Sequence, residues 1–272
     1  MQVDKLPQAK KRFGQNFLIQ PAIVSRIVAV LAPQPDDALL EIGPGPGALT
    51  RALLAARETP CQPLRVVELD RDLLPGLHCL APAAQLQVIA GDALRLDYKK
   101  LAQESRQPLR VVGNLPYNIA TPLIFHLLEQ AEAIVDLHFM LQKEVAESLA
   151  AQPGSSAYGR LSLMVQAQAA VEILFPVAPG NFHPAPKVDS AFVRLLPHRP
   201  ARVPADLLPA FARVVALAFA QRRKTLANNF KGVFDSGMLE RLEISPAARA
   251  ETLHFAAFYR LAEALAQKGA RL

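Results

Sequence analysis

The sequence predicts an α/β fold with a mostly parallel sheet, followed by a small all-helical domain. Three observations predict it. Short apolar runs alternate with stretches of helical spacing from Ala38 to Leu196. These runs are near-continuous rather than alternating, as expected of strands buried on both faces. Pro197, Pro200, Pro204 and Pro209 then break the pattern, and beyond them only helical spacing follows. We therefore expect one domain over residues 1–200 and a second over 201–272.

The elements follow in order. Residues 1–20 read as an irregular basic arm. Pro21–Leu31 has helical apolar spacing, with proline in the first turn, where its missing N–H costs nothing. Strands are expected at Ala38–Ile42, Leu64–Glu68, Leu86–Ala90, Arg110–Gly113 and Ile134–Leu141, and near Ala167–Phe175 and Ala191–Leu196. Helices are expected near Ala48–Ala56, Arg71–Leu80, Pro122–Gln130 and Gln142–Ala151. The tail should carry helices at Leu207–Ala220, Arg222–Phe230, Met238–Leu242 and Phe255–Gln267. Ser245-Pro246 reads as an N-cap followed by proline at the first helical position.

Composition narrows the function. The 272 residues are 51% hydrophobic and 20% charged, which permits a sizeable core and argues against wholesale disorder. The longest stretch without a charged residue, Val111–Leu128, holds Gly113, Pro116 and Pro122 and suits turns better than a membrane span. No apolar run of signal-peptide length follows the basic N-terminus, so secretion is not expected. Cys61 and Cys79 cannot form a disulfide framework and read as small buried hydrophobes in a reducing compartment. The histidines are scattered, and no metal site is expected. Between Arg194 and Lys231 eight basic residues face Asp206 alone, and Lys5, Lys10, Lys11 and Arg12 face only Asp4. Such clusters fit a polyanion partner, and they fit two solvated faces equally well.

The chemistry lies at strand ends. Glu41-Ile42-Gly43-Pro44-Gly45-Pro46-Gly47 closes a strand and opens a helix. Glycines there let the backbone approach a ligand, and the crevice beyond a parallel strand's carboxyl end is where ligands bind. Glu68 ends the second strand, where a carboxylate can accept two hydrogen bonds from ribose hydroxyls. Gly91-Asp92 ends the third, where a carboxylate can accept from an adenine amino group. Taken in this order, the three ends point to an adenosine site. The fourth strand ends in Asn114-Leu115-Pro116-Tyr117. An exocyclic amine is a poor nucleophile, because its lone pair is delocalised into the ring. The Asn114 side-chain oxygen and the Leu115 carbonyl can accept its two hydrogens and favour a pyramidal nitrogen. Pro116 would stiffen the turn, and Tyr117 would stack on a base taken out of its helix.

Together these segments resemble S-adenosylmethionine-dependent adenine-N6 methyltransferases. More narrowly, the chain resembles the small-subunit (16S) ribosomal RNA adenine dimethyltransferase family. The resemblance runs nearly end to end. It rests on Arg12–Leu18, Glu41–Thr50, Val67–Asp70, Asn114–Ile119, Gln142–Ala146, Tyr158–Leu161, Phe182–Ser190 and Gln221–Leu226. Ala120 stands where serine is frequent in the family, a change expected to be tolerated.

The resemblance implies a Rossmann-like class I methyltransferase domain with a seven-stranded sheet. It implies S-adenosylmethionine as cofactor, with Asn16 and Leu18 covering it and Gly43 and Gly45 touching it beside Glu68, Asp92 and Asn114. Phe182 would stack on the target base opposite Tyr117; packing in the core is its other reading. Arg222, Arg223 and Lys224, with Lys10, Lys11 and Arg12, would hold RNA phosphates. The implied activity is N6,N6-dimethylation of two adjacent adenosines in a 3′-terminal hairpin of 16S RNA. The RNA would be met within the small (30S) subunit or its precursor, in the cytoplasm and without a membrane. A role in subunit biogenesis and a monomeric state are also expected. Three rivals stay open. Large-subunit RNA dimethyltransferases commonly carry isoleucine where Leu115 stands and differ in the tail. A binding or assembly protein would have little need of an intact Asn114–Tyr117. Adenine DNA methyltransferases usually show Asp or Asn followed by two prolines and an aromatic.

Overall fold

The computed structural model describes residues 7–57 and 62–269. Lys5 and Cys61 lie outside the described residues, as does the side chain of Lys11. The chain divides into two compact units: 1–146 with 172–197, and 147–171 with 198–272.

In order, the elements are β1 (Phe17–Leu18), α1 (Pro21–Leu31), β2 (Ala38–Ile42), α2 (Ala48–Ala55), β3 (Leu64–Glu68), α3 (Leu74–His78) and β4 (Leu86–Ala90). Then come α4 (Tyr98–Ser105), β5 (Leu109–Asn114), α5 (Ala120–Leu128), β6 (Ile134–Gln142), α6 (Lys143–Ala150) and α7 (Arg160–Gln166). The rest are β7 (Ala169–Val177), β8 (Phe182–His183), β9 (Ser190–Pro197), α8 (Leu208–Ala218), α9 (Leu226–Asn229), α10 (Ser236–Arg241) and α11 (Phe255–Gly269).

The main sheet has seven strands in the order β4-β3-β2-β5-β6-β9-β7. The pairs from β4 through β6 are parallel, and β6–β9 is antiparallel. The chain winds outward from β2 to β4, then returns to the other side of β2 at β5. The point where the winding reverses therefore lies between the carboxyl ends of β2 and β5, with Ile42 opposite Gly113. Covered on both faces, β2 is buried along its whole length. α1 covers the core with Val24, Ile27 and Leu31, one stripe of a 3.6-residue period. At the amino ends of the same strands, Arg110 bridges Asp37 at 2.7 Å and Asp136 at 2.9 Å and donates to the Leu31 carbonyl.

The helical unit is built differently from expectation. A single division near residue 200 does not describe it, because residues 147–171 belong with the tail. Tyr158 and Leu163 share a core with Phe211, Val215, Phe230 and Phe258, and the Tyr158 hydroxyl donates to the Leu253 carbonyl at 3.1 Å. Nor are the prolines after Pro197 only a linker. Val203 is buried, and Arg202 lies over the Phe255 ring at 3.8 Å.

Three local expectations are corrected, and one helix, α4, was not expected. Residues 222–224 form a turn before α9, since helix begins only after the Thr225 cap. Ser245-Pro246 opens a turn closed by Ala248 N–H to Ser245 O, not a helix. Cys79 is exposed rather than buried. α4 has no apolar run to announce it. It depends on the Asp97 side chain accepting from Lys100 N–H and on left-handed Arg106 ending it.

Tyr158→Phe should cost about 1 kcal/mol in the unfolding transition of the helical unit, the worth of one buried hydrogen bond. Urea denaturation followed by far-UV circular dichroism measures it. No change would mean that the Leu253 contact does not hold residues 147–171 to that core.

Candidate functional site

The crevice at the winding reversal is a cleft of about 320 Å³ in the first unit. Its floor is made by the carboxyl ends of β2, β3, β4 and β5 in turn. Leaving β2, the chain turns at Gly43, whose N–H donates to Val67 O at 2.9 Å. Gly45 has φ +57°, and a Cβ there would sit 3.0 Å from the Phe17 ring. Only glycine adopts that conformation freely and leaves the space.

Glu41 and Glu68 are both buried but are held differently. Burial pushes the Glu41 carboxyl up to about 8, against a 2.6 Å hydrogen bond from the Thr50 hydroxyl. Burial also raises Glu68, while N–H bonds from Asp70 at 2.8 Å and Gly45 at 3.2 Å oppose it. Glu41 thus ties β2 to α2. Glu68 lines the cleft with acceptor capacity to spare, because each carboxylate oxygen carries two lone pairs. Asp92 also lines the cleft, its Oδ1 accepting from Leu94 N–H at 3.0 Å.

Asn114, the last residue of β5, donates its side-chain N–H to the Asn16 carbonyl at 2.8 Å. With the donor end so engaged, Oδ1 is the group available to a ligand amine. Leu115 is only 2% exposed, and Leu115, Pro116 and Tyr117 all line the cleft. The Tyr117 hydroxyl lies 3.0 Å from Ser190 Oγ, itself fully buried. Burial raises the phenol, and the Ser190 contact partly offsets this.

The N-terminal arm closes one side of the cleft. β1 pairs antiparallel with β8, Phe17 opposite His183 and Leu18 opposite Phe182. Phe17, Asn16 and Gln15 line the cleft. Two expected residues do not. Leu18 and Phe182 pack in the core with Val24, Ile27, Met140 and Phe192, and each is 5% exposed or less. Successive strand residues point to opposite faces, so when Phe17 faces the cleft its neighbour Leu18 faces away. Phe182, opposite Leu18, follows it inward.

The expected phosphate contacts divide. Lys10 is committed within the chain, to Asp70 and Asp72. Arg12 lines the cleft mouth, 4.7 Å over the Phe13 ring. In the helical unit Arg222 donates to the Ser156 carbonyl and lies 3.8 Å from Glu251, whereas Arg223 and Lys224 are exposed and form no ion pair among the described residues. Gln15, Phe17, Asp70 and Ser190 were missed as individual residues. All sit inside segments that carry the resemblance, but only their partners across the fold give them roles.

The cleft suits S-adenosylmethionine: a buried carboxylate with free acceptor capacity, and a glycine position that a Cβ would fill. Gly45→Ala should push Phe17 aside and weaken cofactor affinity about tenfold or more, through strain at positive φ. Isothermal calorimetry with S-adenosylhomocysteine reads this directly, and unchanged affinity would remove the loop from the cofactor site.

Comparison with known proteins identifies the family. The family model for ribosomal RNA adenine dimethylases matches residues 7–267. The ribosomal RNA small subunit methyltransferase A of Acidithiobacillus ferrooxidans (strain ATCC 23270) is 61% identical over 271 residues, covering 100% of both chains. That of Pseudomonas putida is 52% identical over 262 residues, 96% of each chain. Among solved structures, a dimethyladenosine transferase from Plasmodium falciparum superposes with TM-score 0.79 at 26% identity, covering 93% of this chain and 98% of its own. The 23S rRNA methyltransferase ErmE gives TM-score 0.71 at 25% identity, covering 93% and 100%. A Rossmann-like S-adenosylmethionine cleft, an Asn-Leu-Pro-Tyr turn at its rim and a match over nearly the whole chain place this protein in the ribosomal RNA adenine dimethylase family.

Proposed function

We propose that the protein dimethylates the N6 amino groups of two adjacent adenosines in a 3′-terminal hairpin of 16S RNA. The small ribosomal subunit or its precursor would be met in the cytoplasm during subunit biogenesis. The observation that carries this is the Asn114 carboxamide in the cleft, whose nitrogen is held by the Asn16 carbonyl so that its oxygen is left for a target amine. The small-subunit relatives, 61% and 52% identical, favour this substrate over the large-subunit one.

Bound S-adenosylmethionine supplies a methyl group made electrophilic by its sulfonium. Glu68 would accept from the ribose hydroxyls and Asp92 from the adenine amino group. Gly43 and Gly45 let the backbone come close, and the arm at Asn16 covers the cofactor. For the target base, Asn114 Oδ1 and the Leu115 carbonyl accept the two amine hydrogens and favour a pyramidal nitrogen. Tyr117, steadied by Ser190, offers its ring face to a base taken out of its stack. The protein's contribution is therefore orientation and electrostatic shaping of a poor nucleophile. A second methyl on the same nitrogen needs a second cofactor and room for the monomethylated base. Arg223 and Lys224 would contact RNA phosphates without reading bases, so subunit binding should weaken as salt rises.

The test supplies labelled S-adenosylmethionine with unmethylated small subunits, large subunits and duplex DNA in parallel, and identifies nucleosides by mass. Dimethyladenosine from small subunits alone is expected. Label in large subunits would favour an ErmE-like substrate, and label in DNA would overturn the RNA assignment. Asn114→Ala should bind cofactor nearly as well as wild type but transfer at least about 100-fold more slowly, the scale of losing one key polar contact. Wild-type turnover in that variant would refute the role of Asn114.

A further inference from the structure

The arm that covers the cleft is tied down at its Lys10 end. Lys10 Nζ lies 2.5 Å from Asp70 Oδ1 and 2.5 Å from Asp72 Oδ2. The Gln15 side chain joins them. Its amide nitrogen donates to Asp70 Oδ2 at 3.1 Å, and its oxygen accepts from Lys10 N–H at 2.7 Å. Asp70 is nearly buried and Asp72 largely exposed, so the bridge joins a buried carboxylate to the surface beside the arm. Burial alone would raise the Asp70 carboxyl, but the Lys10 and Gln15 hydrogen bonds outweigh it and hold the group below the ordinary carboxylate range.

The bridge connects to both halves of the chemistry. The Asp70 backbone N–H donates to Glu68, the ribose acceptor. Five residues after Lys10, Gln15 leads into Asn16, whose carbonyl holds the Asn114 carboxamide, and then into Phe17, which lies against Gly45. The far end of the arm is fixed separately by its pairing with β8 and by Ile19 N–H to Asn181 O at 2.9 Å. Residues 10–18 are thus a strap with one fixed end and one ionic end.

We propose that Lys10 is a positioning residue, the ionic latch that closes this strap over the bound cofactor and holds the Asn16 carbonyl against Asn114. This assigns Lys10 to cofactor retention rather than to RNA phosphates. It rests on the S-adenosylmethionine assignment of the cleft and is independent of which nucleic acid is methylated. Opening the latch lowers the population of the closed arm, and apparent cofactor affinity falls by the same fraction. Because the pair is partly exposed, added salt should loosen it.

The experiment compares full-length wild type, Lys10→Met and Lys10→Arg. S-adenosylhomocysteine affinity is measured by calorimetry, and small-subunit retention by filter binding at several salt concentrations. Circular dichroism verifies folding of each variant. Lys10→Met should weaken cofactor affinity about tenfold, as expected if the strap is closed about a tenth of the time. It should raise KM for S-adenosylmethionine, leave kcat at saturating cofactor near wild type and leave the salt slope of subunit binding unchanged. Lys10→Arg should restore most of the affinity. Unchanged cofactor affinity in Lys10→Met would overturn the latch. So would a flattened salt slope with cofactor binding intact, which would make Lys10 a phosphate contact. Should wild type bind cofactor yet methylate no small subunits, the substrate proposal fails while the latch is still judged by the calorimetry.

Discussion

One hydrogen bond organises the site: Asn114 Nδ2 to the Asn16 carbonyl, at 2.8 Å. A carboxamide has a donor end and an acceptor end of nearly equal shape, and only its partners decide which faces a ligand. The Asn16 carbonyl accepts and cannot donate, so it selects the amide nitrogen. The oxygen is left for an amine that needs an acceptor. Much of the first unit bears on this contact. β5 delivers Asn114 to the winding reversal beside β2. The strands meet closely there, because a Cβ on Gly113 would stand only 2.5 Å from the Ile42 carbonyl. β1 and β8 pair to set the height of the arm that carries Asn16.

The two ends of the sheet divide the work. At the amino ends, Arg110 gathers Asp37, Asp136 and the Leu31 carbonyl into a half-buried network that ties β5 to its neighbours. His138 lies beside it, its imidazole pushed down to about 4 mainly by burial. It stacks on Phe192 and behaves as a neutral core ring. At the carboxyl ends the buried acids are kept accessible or locked according to their partners. Glu41 is locked by Thr50, and Glu68 is shared between backbone N–H groups and the cleft. The candidate chemistry lies at the carboxyl ends, where open parallel sheets generally bind ligands.

The fold was largely legible because the strands of a parallel sheet leave short, near-continuous apolar runs. Ala38–Ile42, Leu64–Glu68 and Leu86–Ala90 agree with the observed strands residue for residue. α4 was not legible, because Tyr98, Ala102 and Ser105 are all it buries and its ends rest on caps. The discontinuous helical unit was hidden for another reason: the Tyr158–Leu253 contact joins residues 95 apart. At the cleft, Gly45, Glu68, Asp92 and Asn114–Tyr117 could be read because each closes a strand. The burial of the Leu18 and Phe182 side chains was not legible, since spacing cannot tell which residue of a two-residue strand faces inward. Lys10 reads in the sequence as an RNA-phosphate contact, because Asp70 and Asp72, its partners in the fold, lie 60 or more residues away.

The most direct test of the central claim is the single-turnover methyl-transfer rate of Asn114→Asp on small subunits. Aspartate keeps an acceptor oxygen at the same distance along the chain but offers the Asn16 carbonyl no donor. If the Asn16 contact orients residue 114, the variant should transfer at least about tenfold more slowly than wild type, because an unpaired oxygen would face the carbonyl. Cofactor affinity should change much less. A wild-type rate would show that any acceptor at this position suffices and that the hydrogen bond to Asn16 does not set the chemistry.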